Sequence, residues 1–169
     1  MEIQFDKEAD RFINKLLNHF QQNYEISHDV TVGDFCFPAL AEFHIMEEKT
    51  FFGFKANLQS KEANEYLFFL SMENFPLELS SGIDSLVDAI EKQFLNFHEN
   101  LAFTLFSIVF VTTELEKASI KQIKRYNRRR SYRSAWSILR IVVVEMNNNR
   151  ITCNRDGTDL GQIIKKQVI

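Results

Sequence analysis

Apolar side chains first recur at helical spacing. Between residues 6 and 24, Ala9, Phe12, Ile13, Leu16, Leu17, Phe20 and Tyr24 fall on one face, the i, i+3, i+4 pattern of an amphipathic helix. Asp6 is the expected N-cap, with Glu8 in the first turn. From residue 34 the period becomes two. Phe35 and Phe37 alternate with Asp34 and Cys36 up to Pro38. Leu40, Glu42, His44 and Met46 then share a face opposite Ala41, Phe43 and Ile45. The polar cluster 47–49 reads as a turn. Phe52, Phe54, Ala56 and Leu58 alternate after it, and 66–72 is a third run. Alternation with aromatic enrichment predicts a three-stranded meander. Helical spacing returns over 82–98, where Ile83, Leu86, Val87, Ile90, Phe94 and Phe97 form one face. Ser81 to Asp84 resembles a capping box at its start.

The run from Phe103 to Thr112 is apolar on both faces, which suits a central strand covered on both sides. Thr113 to Glu116 is a second capping box, opening a short helix to about Tyr126. Leu115, Ala118, Ile123 and Tyr126 are expected inward, and Lys117, Lys121, Lys124 and Arg125 wet. Residues 127–133 read as a basic loop. Residues 136–146 read as a strand, apolar on both faces except at Arg140. Asn147 to Asn149 suits a hairpin turn, since Asn tolerates the left-handed conformation. A short return strand (150–153), a turn at Asp156-Gly157, and a tail that is a short helix or a docked extension complete the chain. The expected fold is α+β, one domain over 1–169, in the order α-β-β-β-α-β-α-β-β. A mixed sheet is covered by the two longer helices.

Charge sharpens this picture. Residues 1–116 hold 7 Lys/Arg against 20 Asp/Glu, a net of −13, and residues 117–169 hold 13 against 3, a net of +10. The overall −3 hides this split. A domain boundary near 115 is excluded, because neither piece would close a core: the strand at 136–146 needs a neighbour, and 103–112 fits. All 17 Phe lie at or before Phe110, so the acidic part supplies an aromatic core and the basic part adds an aliphatic strand.

Three constellations bear on chemistry. The first is the segment from Lys124 to Trp136, in which Lys124, Arg125, Arg128, Arg129, Arg130 and Arg133 interleave with Tyr126, Tyr132 and Trp136. Arginine forks match phosphate or carboxylate oxygens, and aromatic faces accept bases. Three uses fit: an acidic protein partner, a nucleic acid, or compensation by the chain's own acidic surface. The second is Glu42 and His44 on one strand face, with Asp34, Glu47 and Glu48 nearby in sequence. An acid–base or metal site is conceivable there, although an exposed edge pair is the plainer reading. The third, His98-Glu99-Asn100, reads as a helix end. The element order is similar to the restriction-endonuclease-like fold, but the required Glu-x-Lys is replaced by Glu65-Tyr66-Leu67. Cys36, between Phe residues, reads as a buried inert thiol. No phosphate-loop, dinucleotide, zinc or hydrolase motif occurs, and no cofactor is expected. Two isolated cysteines, an acidic N-terminus and an apolar run half the length of a membrane span lead to the expectation of a cytoplasmic protein without membrane contact. The opposed charges also permit a head-to-tail homodimer beside a monomer.

His98-Glu99 leading into FTLFSIVFV (103–111), then KRYNRRRSYRSAW (124–136), SILRIVVVEM (137–146) and RITCNRDGTDL (150–160), resembles an uncharacterised family of small cytoplasmic proteins from low-GC Gram-positive bacteria. The resemblance covers most of residues 8–166. It implies no activity. This chain departs from the family's Phe and Gly around the basic loop, with Arg128, Arg129, Arg130 and Ser131 there. A fainter resemblance is to secretion-chaperone-like α/β folds, which the basic final third does not match.

Overall fold

Residues 106–112 of one strand are buried without interruption, and the sheet is organised around that strand. The structure is a computed structural model that describes residues 2–47, 61–75 and 79–168. Its elements are α1 (Glu2–Phe20), β1 (Glu25–Val32), β2 (Phe35–Glu47), β3 (Lys61–Ser71), α2 (Leu79–Phe94), β4 (Leu101–Thr112), α3 (Lys117–Arg125), β5 (Arg129–Tyr132), β6 (Ala135–Glu145), β7 (Arg150–Cys153), a 3₁₀ turn (Arg155–Gly157) and α4 (Thr158–Val168). The seven strands form one mixed sheet in the order β1-β2-β3-β4-β6-β5, with β7 also on β6. β1, β2 and β3 are an antiparallel meander, whereas β3, β4 and β6 are parallel. The fold is α+β, as the periodicity predicts.

Each sheet face carries its own core. On one, Ile83, Leu86, Val87 and Ile90 of α2 and Ile123 of α3 pack on Phe37, Phe68, Phe106, Ile108, Leu139 and Ile141. On the other, Ala9, Ile13, Leu16, Leu17 and Phe20 of α1 join Leu160 and Ile164 of α4 over Leu67, Phe69, Val109 and Val142. Two-sided burial explains why β4 and β6 read as continuous apolar runs. The predicted neighbours pair directly, with Ile108 opposite Ile141.

Several boundaries differ from the expectation. α1 begins at Glu2 and α2 at Leu79, so Asp6 and Ser81 lie inside helices and are not caps. β1 was not expected, because the few apolar residues of EISHDVTV are split between the two sheet faces, Ile26 packing on one core and Val30 and Val32 on the other, so no clean alternation shows. β2 runs through Pro38. The β1–β2 register steps over Pro38, which has no N–H to give, and Asp29, in the same gap on β1, takes a left-handed φ of 53°. Gly33, at φ +58°, makes the two-residue turn between these strands, the geometry such hairpins favour. Cys36 is exposed, because alternation sends it to the face opposite buried Phe37. The strand expected at 52–58 lies outside the described residues.

β5 and β7 share one side of β6, pairing with 135–138 and 142–145. Asn154, 1% exposed, fills the gap between them. Its Oδ1 accepts from the Ile141 N–H (2.9 Å) and the Gly157 N–H (3.0 Å). Its Nδ2 donates to Leu139 O (3.0 Å) and Tyr126 O (3.3 Å). A side-chain amide thus continues the ladder where no strand residue reaches. Gly157 must be glycine, since a Cβ there would lie 2.7 Å from Ile141 O.

At the far end of β6, Glu145 is fully buried. Its carboxylate accepts from the Leu115 N–H (2.8 Å), from Asn148 Nδ2 (3.4 Å) and from the Arg150 guanidinium. This carboxylate does the work expected of the second capping box. Thr113 Oγ1 is buried without a partner among the described residues, and the N-cap residue Glu116 makes no side-chain cap bond. Burial alone would raise the Glu145 pKa. Hydrogen bonds from Arg150, Leu115 and Asn148 outweigh it and hold the group below the ordinary glutamate value.

Two predictions follow from these supports. Asn154→Ala takes the side-chain partner from the Ile141 N–H and from the Leu139 and Tyr126 carbonyls, while the Gly157 N–H keeps the Asn154 carbonyl, and is expected to cost about 3 kcal/mol. Asn154→Asp, which loses both donors, should cost at least as much. Denaturant midpoints at constant m-value measure both. Because the Glu145 pKa is lowered on folding, its contribution is present in full above the ordinary glutamate value of about 4.3. It is lost as the pH falls through the lower folded-state value. The stability gap between wild type and Glu145→Gln should therefore be widest near neutrality and close in acid. A gap independent of pH would refute the assignment.

Candidate partner-binding surface

The basic segment begins on α3. Lys117, Lys121 and Lys124 stand at i, i+4 and i+7, the spacing of one helical stripe. With Arg125 they form the exposed arc of α3, opposite buried Ser119 and Ile123. Ala118, expected inward, is exposed, and Ser119 takes that place. These four cations make no ion pair among the described residues, and neither do Arg133 and Arg155.

The triple arginine behaves differently. α2 carries Asp84, Asp88 and Glu91, also at i, i+4 and i+7, and α2 and α3 lie side by side over the same core. Arg128 reaches across to all three. It grips Glu91 with two bonds, Nε to Oε1 (3.1 Å) and Nη2 to Oε2 (2.8 Å). It also pairs with Asp88, and its Nη1 lies 3.9 Å from Asp84. The Arg128 side chain is 18% exposed and its pKa is raised, chiefly by the Glu91 bond. Arg130 Nε lies 2.7 Å from Glu91 Oε2. Arg129, on the opposite sheet face, pairs with Asp156. Tyr126 donates its hydroxyl to Asp84 (2.6 Å), and burial above all pushes its pKa up.

The remaining aromatic members are open. Tyr132 is 53% exposed, tilts against Phe97 at 6.0 Å and lies under the Arg133 guanidinium at 5.4 Å. Arg133, at φ 55°, occupies the turn between β5 and β6. Trp136 is 38% exposed and stacks on Phe103 at 4.8 Å. An open hollow of about 480 Å³ is lined by Arg129, Arg130, Ser131, Trp136, Ser137 and Ile138. Every residue of β5 is exposed. The surface is thus an edge strand beside cations, on the adjoining helix and in the adjoining turn, that have no carboxylate partner among the described residues. Its arginines at 128–130 are already held by carboxylates of the same molecule.

The other two sequence constellations meet in space. His44 Nδ1 lies 2.6 Å from Asn64 Oδ1, and Asn64 Nδ2 donates to Glu62 (2.8 Å). Glu62 in turn faces His98 Nε2 at 3.0 Å, and Glu42 lies 3.6 Å from His44. Asp34 is in the β1–β2 turn and is not part of this row. The Glu47 side chain and Glu48 lie outside the described residues. Glu65, the carboxylate in the nuclease-like comparison, is held by the Tyr24 hydroxyl (2.8 Å) and by Arg140, whose Nε also donates to Ser107 (2.7 Å). Burial and the Glu65 carboxylate push the Tyr24 pKa up. Among the described residues no group of three His, Cys, Asp or Glu is arranged to hold a metal ion. None of their helices is long and apolar enough to cross a membrane.

What sequence reasoning did not find was the receiving side of these pairs. The acidic stripe of α2 was visible at helical spacing, but nothing in sequence placed α3 and β5 beside it. Asp156, 27 residues from Arg129, had no local signal at all.

The two kinds of arginine separate by stability. Arg128→Ala leaves Glu91 desolvated with half its partners, and is expected to cost about 2 kcal/mol. Arg133→Ala should change stability by less than about 0.5 kcal/mol. Thermal unfolding of both variants measures the difference, and equal effects would show that Arg128 is as free as Arg133.

No curated protein and no solved structure matches the chain. A family model described as a domain of unknown function, DUF8052, matches residues 8–166, and the chain belongs to that family.

Proposed function

We propose that the protein is a non-enzymatic binding module whose basic edge receives an acidic segment of a partner protein. The observation that carries this reading is the stripe Lys117, Lys121, Lys124 and Arg125, exposed on one arc of α3 and without a carboxylate partner among the described residues. Unpaired like charges held together on a helix repel one another and are relieved by an opposite surface. Arg133 and the exposed rings of Tyr132 and Trp136 extend that surface along β5. The hollow beside Trp136 gives it relief.

The exposed rings also favour a second reading, a single-stranded nucleic acid whose bases stack on Tyr132 and Trp136. The carboxylates of Asp84, Asp88 and Glu91, next to α3, weigh against a polyanion.

Fluorescence anisotropy of a labelled Glu-rich peptide tests the first reading. The peptide is expected to bind at low ionic strength and to be released by salt. Lys121→Glu combined with Lys124→Glu should weaken it about tenfold or more. A peptide that never binds, or binds both proteins alike, refutes the reading. A single-stranded DNA probe that binds more tightly, with a log–log salt slope of about −0.7 per phosphate neutralised, replaces it with the second.

A further inference from the structure

The charge division along the chain becomes a division across the sheet. β1 is one edge and β5 the other. β1 exposes Glu25 and Asp29, and Asp34 is exposed in the turn that follows. None of the three takes part in an ion pair among the described residues, and His28 is the only other titratable group on that strand. The opposite edge holds Arg133, with Lys124 and Arg125 at the end of α3, where the chain enters β5. Each edge strand pairs on one side only among the described residues.

We propose that the β1 edge of one copy of this chain docks on the β5–α3 edge of a second, building open head-to-tail assemblies. This rests on the reading of the basic edge as a receptor for acidic segments and names its occupant. Like-with-like pairing is disfavoured: two β1 edges set carboxylates against each other, and two β5–α3 edges set Arg133, Lys124 and Arg125 against their copies. Only the unlike pair has opposite charge along the contact, and each strand offers the other unpaired backbone N–H and C=O groups. The contact is heterologous. The edges lie at opposite ends of one sheet, so each addition leaves one acidic and one basic edge free, and growth is not capped at a dimer. Exposed ion pairs are individually weak and screened by salt, so association is modest and strongest at low ionic strength.

Sedimentation velocity on the whole chain tests this. At low ionic strength the wild-type mass is expected to rise with concentration past that of a dimer, and to return to 19.9 kDa in high salt. Glu25→Lys with Asp34→Lys removes the acidic edge; Lys121→Glu, Lys124→Glu and Arg133→Glu together remove the basic one. Each variant alone should stay monomeric with an unchanged circular dichroism spectrum. In an equimolar mixture the intact edges are opposite in charge, and so are the reversed edges, so assembly past a dimer should return. A wild type that remains monomeric at low ionic strength overturns the proposal, as does a variant that assembles like the wild type or a mixture that stays monomeric. If the Glu-rich peptide still binds in those cases, the receptor reading survives and only its occupant is wrong. If neither peptide nor copy binds, both fall.

Discussion

The Arg128 guanidinium, set among three carboxylates of α2, ties the two charge halves of the chain together. It is the one cation that reaches all of Asp84, Asp88 and Glu91 among the described residues, with Arg130 and the Tyr126 hydroxyl beside it. It also fixes where α3 leaves off and β5 begins, because its backbone carbonyl accepts from Leu139 N (3.0 Å). One residue thus joins the outer surface of α2 to the edge of the sheet. The bidentate grip on Glu91 is specific to a planar fork, which a lysine would not reproduce.

Much of this arrangement was legible in the sequence, and for one reason. Wherever burial is periodic, the pattern announces the element. α1 and the core face of α2 follow from spacing 3.6, and β4 and β6 from being apolar on both faces. Their direct pairing follows because neither has another place to hide. β1 was illegible because the apolar residues of EISHDVTV serve different faces of the sheet, so its place is set by hydrogen bonds to β2 as much as by burial. The capping expectations failed for a different reason: the polar group that serves the start of α3 is Glu145, brought there by the sheet across a separation of 30 residues. The candidate surface was half legible. The cations and aromatics of 124–136 were all visible. Which of them were already engaged depended on α2 and on Asp156, and contacts of that range leave no local trace.

Internal neutralisation is selective. Arg128, Arg129 and Arg130 each find a carboxylate, while the lysines of α3 find none among the described residues, although α2 is their neighbour. Geometry accounts for this: the α2 stripe faces the β5 side, and Lys117, Lys121 and Lys124 stand on the arc of α3 away from its buried residues. The fold therefore consumes the densest positive charge in the sequence and leaves out the more dilute helix beside it. The same sorting occurs with the histidines, where His44 and His98 are drawn into one row through Asn64 and Glu62.

Order of synthesis gives the charge split a second meaning. A chain emerging from the ribosome presents α1, the β1–β3 meander, α2 and β4 before any of β6 exists. The apolar edge of β4 is then bare, and α3 and α4 are not yet there to complete the cover that α2 and α1 give its two faces. At that stage the emerged chain is strongly anionic, and the α2 carboxylates have not yet met Arg128. Mutual repulsion between such nascent chains opposes the edge-to-edge sticking that a bare apolar strand invites. The basic final third then brings both the covering strand and the counter-ions, so the repulsion is removed at the moment it is no longer needed.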